Sequence, residues 1–176
     1  SEGETKVLEM LARQFDDQWV AIRGYCNRGG ETDILLLGPT AVVAIEVKFL
    51  NAVIRVNGKD WTRDKVDRFG NLVERDRPVT DAAGRSPAAQ VNAVADALQA
   101  QLARRGHRVR VARAVVLAHP ASRLAQVRDP GVDLVTVASD RGFADAMLAL
   151  TASESGAVGL DVASLIFSCI RCTTLP

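Results

Sequence analysis

Aromatic residues are scarce in this chain: five Phe, two Trp and one Tyr among 176 residues. A core made from it must therefore rest on Val, Leu, Ile and Ala. There is enough of that material, since 48% of the residues are hydrophobic, and global disorder is excluded. Cysteine is also sparse. Three residues, one of them far from the other two, make no disulfide framework, so a reducing cytoplasm is the expected setting. No apolar run reaches the length needed to span a bilayer, and no membrane partner is expected. The opening Ser1-Glu2-Gly3-Glu4 reads as neither a signal nor a transit peptide. Charge of one sign is missing too. The formal net charge is +1, so any affinity for a polyanion must come from local clusters rather than the total. No phosphate-binding loop, dinucleotide fingerprint, G-x-S-x-G nucleophile or internal repeat is present.

What is present alternates between helical and extended patterns, which predicts an α/β protein. Residues 3–15 space Val7, Leu8, Leu11, Ala12 and Phe15 as one face of a helix, with Glu4 in its first turn. Residues 18–26 predict a strand. Thr32–Leu37, a Gly38-Pro39-Thr40 turn and Ala41–Phe49 predict a hairpin of two apolar strands. Residues 50–87 are polar and charged. They read as an extended insertion with one short hairpin or helix near Trp61, a packing residue. Ser86 and Pro87 then supply an N-cap and first position for a helix carrying Val91, Val94, Ala95 and Leu98, ending near Arg105 before Gly106. Val109–Leu117 and Val132–Val137 predict strands, and a helix is expected from Gly142 to Leu150. Residues 152–176 are left as a C-terminal tail of unclear structure after one domain spanning 1–151.

Three ionisable residues stand out against the apolar hairpin. With the turn centred near Pro39, Asp33 falls opposite Ile45 or Glu46 at the open end. Glu46 and Lys48, two apart, project from one face. Charges in such a setting need compensation. Two neighbouring carboxylates repel unless a cation lies between them, and hard oxygen ligands suit Mg²⁺. Two carboxylates and a lysine are what metal-assisted phosphodiester hydrolysis requires. The plainer alternatives are a solvated face or a cross-strand ion pair for Glu46 and Lys48, and a strand-initiating polar residue for Asp33.

Asp33, followed by the hydrophobic hairpin and Ile45-Glu46-Val47-Lys48, resembles the core of the PD-(D/E)XK nuclease superfamily. More narrowly, the chain resembles the nuclease-related domain (NERD) family over about residues 1–118. The matching pieces are Gly3-Glu4, Gly29-Gly30-Glu31-Thr32-Asp33, Ile45-Glu46-Val47-Lys48, Trp61, and Ser86-Pro87-Ala88-Ala89-Gln90. The resemblance implies a restriction-endonuclease-like fold, a central mixed sheet flanked by helices. It implies a metal-dependent nuclease acting on DNA, with Mg²⁺ or Mn²⁺ held by Asp33, Glu46 and the Val47 main-chain carbonyl. Glu4 would join directly or through water, Lys48 would contact the scissile phosphate or the attacking water, and Gln90 would help position them. Further domains of a longer parent protein, and a homodimer, also follow as expectations. The chain departs from the family pattern in its long charged segment 62–85 and in Ser86, where Asn is frequent.

Some residues keep two readings. Glu4 also suits a helix N-terminus for dipole reasons alone, and Gln90 could be a surface residue of the first helical turn. Arg104, Arg105, Arg108, Arg110 and Arg113 form a basic cluster with no acid among residues 97–128, fit either for nucleic-acid phosphates or for a solubilising helix end. The cations of the insertion are nearly matched by acids, which predicts a salt-bridged, solvated surface. Cys169 and Cys172 form a C-x-x-C pair without a second pair, and read as buried cysteines rather than half of a zinc site. The rivals to an active nuclease are a non-catalytic nucleic-acid-binding module and a protein-interaction domain on the same fold.

Overall fold

A computed structural model describes residues 1–152 and 158–171. The elements in order are α1 (Glu2–Gln14), β1 (Val20–Asn27), β2 (Gly30–Leu37), β3 (Val42–Lys48), β4 (Val53–Asn57), β5 (Asp60–Val66) and β6 (Leu72–Pro78). They continue with α2 (Pro87–Arg104), β7 (Val111–Leu117), β8 (Arg123–Arg128), β9 (Leu134–Val137), α3 (Phe143–Thr151) and α4 (Leu160–Arg171). Among the described residues, no helix is long and apolar enough to cross a membrane.

The main sheet has five strands in the order β1-β2-β3-β7-β9. The first three are antiparallel, and β3, β7 and β9 run parallel. The alternation along each strand sorts its side chains into two cores. Leu35, Leu37, Val42, Ala44, Val115 and Leu117 face α2, whose Val91, Val94, Ala95 and Leu98 pack on them. Ile34, Leu36, Val43, Ile45, Ala114 and Val116 face Val7 and Leu11 of α1 and Phe143 and Met147 of α3. The central strands are thus buried on both faces, which is why their sequences are near-continuous apolar runs. This mixed sheet between helical layers is a restriction-endonuclease-like α/β arrangement.

The insertion is more ordered than its composition predicts. Residues 50–87 hold three strands, and β8, which the sequence reading did not expect, completes a second sheet in the order β6-β5-β4-β8. Ile54, Val56 and Trp61 anchor this sheet in the α2-side core. Their alternation is too short and too heavily flanked by charge to stand out in the sequence. Trp61 is buried, in line with a packing role. In the C-terminal stretch, α4 places Val162 and Ile166 in the α2-side core. Cys172 lies outside the described residues.

The other expected elements appear with boundary shifts of a few residues. The Ser86 hydroxyl accepts from the Ala89 N–H at the start of α2, and Gly106, with φ 84°, follows its end. The β1–β2 turn is clamped to the middle of α2: Asn27 donates to the Val94 carbonyl at 2.9 Å and accepts from the Gly29 N–H at 2.8 Å. This contact leaves no space for a side chain at residue 29, where a Cβ would collide with the Ala93 carbonyl oxygen. Gly29→Ala is therefore expected to cost about 2 kcal/mol or more, as overpacking against backbone does. Gly142→Ala, where a methyl would meet open space, should cost less than about 1 kcal/mol. Denaturant midpoints of the two variants compare these directly, and equal losses would refute the clamp.

Candidate active site

The β2–β3 ladder closes at Ile34 opposite Ile45, leaving Asp33 one step beyond it and level with Glu46. Two side chains of β2 take over where main-chain pairing stops. The buried Thr32 hydroxyl donates to the Ile45 carbonyl at 2.9 Å, and the Asp33 carboxylate accepts the Val47 N–H at 2.6 Å. On the other edge of β3, the Lys48 carbonyl accepts from the Ala118 N–H. Backbone groups alternate along a strand, so the carbonyl of Val47 faces the β2 side with its N–H, toward Asp33.

Glu46 and Lys48 share the α2-facing side of the sheet. Glu46 is 5% exposed. Its Oε1 accepts from the Lys48 ammonium at 2.8 Å, and the same ammonium donates to Gln90 Oε1 at 3.1 Å. The Gln90 amide is itself oriented, because its Nε2 donates to the Arg85 carbonyl at 3.0 Å. Gln90 is buried in the first turn of α2, not displayed on its surface. A lysine has three N–H donors, so one remains for a further acceptor.

The carboxylates bear the cost of this burial. Loss of solvent, the charge of Asp33 and a weaker opposing pull from Lys48 leave the Glu46 carboxyl with a pKa pushed up to about 7. Asp33 is also raised, mainly by burial and further by Glu4, against the Val47 hydrogen bond. Both shifts come first from burial, and for Glu46 next from the like charge of Asp33. Two carboxylates and a main-chain carbonyl form a hard-oxygen donor set of the kind that holds Mg²⁺, which binds through one or two carboxylates and keeps several waters.

Glu4 lies close enough to raise the pKa of Asp33 but is directed elsewhere. It accepts from Arg23 Nε at 2.8 Å. Burial acts to raise its pKa, yet hydrogen bonds to Ser1 and Arg23 hold it below the usual carboxylate value. Among the described residues, no three His, Cys, Asp or Glu side chains are placed to hold an ion together. Asp33 and Glu46 lie side by side, while Glu4 is turned to Arg23 and the N-terminus.

The arginine cluster is not brought to this place. Val42 pairs with Val111 and Lys48 with Leu117, which puts the start of β7 about 20 Å from the acidic end at the usual rise per strand residue. Arg110 is paired with Asp133 and Arg113 with Asp96. Sequence reasoning also missed two contributors. Thr32 extends the end of the ladder, and Arg85 adds positive potential at Glu46. The first stood inside a quoted motif without a role, and the second directly precedes the Ser86-Pro87 cap.

A family model described as nuclease-related domain matches residues 1–118, which include every residue of this cluster. No curated protein and no solved structure matches the chain.

The raised Glu46 pKa makes a signed prediction for the metal-free protein. A carboxyl that holds its proton more tightly when folded contributes stability below about pH 4.5, which is lost as pH rises through about 7. The difference is on the order of 3 kcal/mol. Glu46→Gln, measured in EDTA beside the wild type, should lose most of the fall in Tm between pH 5 and 8. Parallel pH profiles for the two proteins would contradict it.

Proposed function

Because the chain belongs to the nuclease-related domain family, we propose that it is a metal-dependent nuclease that hydrolyses phosphodiester bonds of DNA. The observation that carries this reading is a desolvated carboxylate pair beside a lysine with a spare donor. Asp33, Glu46 and the Val47 carbonyl would hold Mg²⁺ or Mn²⁺, with Glu4 joining directly or through water. The chemistry a divalent ion brings is positive charge at the phosphoryl oxygens and greater acidity of an attacking water.

The chain's own residues divide the remaining work. Asp33 and Glu46 present negative charge at one point, and burial on both faces of β3 keeps them from being solvated apart. Lys48 aims its third N–H at a scissile phosphate oxygen or at the water attacking in line, with inversion at phosphorus. Gln90 fixes the ammonium by accepting from it, and is fixed in turn by the Arg85 carbonyl. Gln90 is thus a positioning residue, while Lys48 touches substrate. Arg85 and Lys48 lower the proton affinity of Glu46 against the two raising influences, which favours the anion that a metal needs.

A second reading is a binding module on the same fold. It is favoured by the Lys48 ion pair on Glu46 and by the lack of a third converging carboxylate among the described residues. Cleavage of plasmid and short single-stranded DNA separates the two. With Mg²⁺ or Mn²⁺ the wild type should cut. Lys48→Ala should be slower by on the order of 10²-fold or more, and Glu46→Ala should not cut measurably. Cutting that survives EDTA, or a Glu46→Ala variant as fast as wild type, would sink the mechanism. No cutting with either metal would leave the binding module.

A further inference from the structure

Three strands of the second sheet, β4 to β6, are inserted in the chain at the catalytic end of the main sheet. They follow Lys48 and precede Pro87, which stands three residues before Gln90. The outer two, β5 and β6, extend past the core as a ribbon exposed on both faces from Lys65 to the turn and back through Val73. At the tip stands Phe69, 74% exposed, with the Arg68 guanidinium 4.7 Å from its ring centroid.

The ribbon's total charge is small, but its acids and cations are used differently. Asp64 accepts from Arg55 and from the Asp76 N–H, which pins the irregular β6 backbone where Asp76 has φ 49°. Those two bonds, the Asp76 N–H first, hold the Asp64 carboxyl below its usual value. Asp67 folds the tip turn by accepting from Phe69, Asn71 and the Asn71 amide. Glu74 pairs with Arg63. Asp64, Asp67 and Glu74 are thus occupied within the ribbon, while Lys65, Arg75 and Arg77, like the carboxylates of Asp60 and Asp76, have no ion pair among the described residues.

Register shows where part of that charge points. Ile54 pairs with Arg63 and Val56 with Trp61, so these four share a face. Arg63 pairs with Arg77 and Lys65 with Glu74 on the same face further out. That face begins as Ile54, Val56 and Trp61 in the α2-side core and becomes basic where the core ends. The core from which it extends is the one on the α2 side of the main sheet, the side that Glu46 and Lys48 share.

We propose that the β5–β6 ribbon is an arm that grips duplex DNA beside the catalytic centre. Lys65, Arg75 and Arg77 contact phosphates along a groove, and Phe69 packs against the bases at the tip. A two-stranded ribbon has the width of a major groove. Single-strand platforms instead stack successive bases on several aromatics, and this ribbon exposes one. The assignment rests on the nuclease reading for its substrate but not for its test.

The test is binding of a short labelled duplex to the full chain in EDTA, by fluorescence anisotropy across a series of KCl concentrations. Lys65→Ala/Arg75→Ala/Arg77→Ala should bind about tenfold or more weakly, with the salt slope reduced by about 2 to 3. Phe69→Ala should bind several-fold more weakly with the slope intact. Arg104→Ala/Arg105→Ala/Arg108→Ala, at the far end of the sheet, should bind as wild type. Unchanged melting temperatures exclude misfolding of these exposed-site variants. The arm is overturned if the ribbon triple binds normally, if the loss falls on the far arginines, or if the wild type prefers single strands or binds no duplex. Cleavage assays keep the two readings apart. A wild type that never cuts but binds duplex through the ribbon retains the arm and loses the nuclease, whereas a ribbon triple that binds and cuts normally does the reverse.

Discussion

The Lys48 ammonium, shared between Glu46 and Gln90, is the contact on which the rest of the site depends. It ties the third strand to the first turn of α2 across the end of the core. It also allows a carboxylate only 5% exposed to exist beside a second one. An unpaired buried charge would shed its charge by taking a proton, and the Glu46 pKa of about 7 shows how near that limit the pair stands. A separate set of contacts holds the parts in register. Asn27 and Gly29 clamp the β1–β2 turn to α2, so the strand carrying Asp33 and the helix carrying Gln90 are located against each other.

The central trio was legible in the sequence because its geometry is local. A hairpin around Pro39 brings Asp33 level with Glu46 by counting alone, and a spacing of two puts Lys48 on the face of Glu46. The observed Ile34–Ile45 pairing gives that alignment. Gln90 was legible only through resemblance, since no periodicity says that a residue 42 positions from Lys48 will meet it. The role of Arg85 was out of reach for the same reason. Glu4 shows the opposite limit. Its position in the chain suggested a ligand, but its direction depends on Arg23, a partner on another element.

The strands of the insertion were missed for a physical reason. Strands that bury only Ile54, Val56 and Trp61 give a period of two too brief to register. The salt bridges expected of its surface are present in Arg55–Asp64, Arg63–Glu74 and Arg85–Asp81. Beyond those pairs, Asp64 and Asp67 also accept backbone N–H groups and so hold a bulge and a turn, which no count of charges reveals. The arginine cluster after α2, dense in sequence, lies at the end of the sheet away from the acids, with two members in ion pairs.

The parallel pairing of Val42 with Val111 sets an order of assembly. The β2–β3 hairpin can close from neighbouring residues, which makes it cheap in chain entropy and fast. The β3–β7 ladder must wait for β4, β5, β6 and α2 to be reeled in between, a non-local closure of the slow kind. Asp33 and Glu46 therefore meet while water still surrounds them, and they lose that water only when the helix docks. The electrostatic strain of the centre falls on the last stage of folding, so it weighs on how long the native state endures more than on how quickly the chain first collapses.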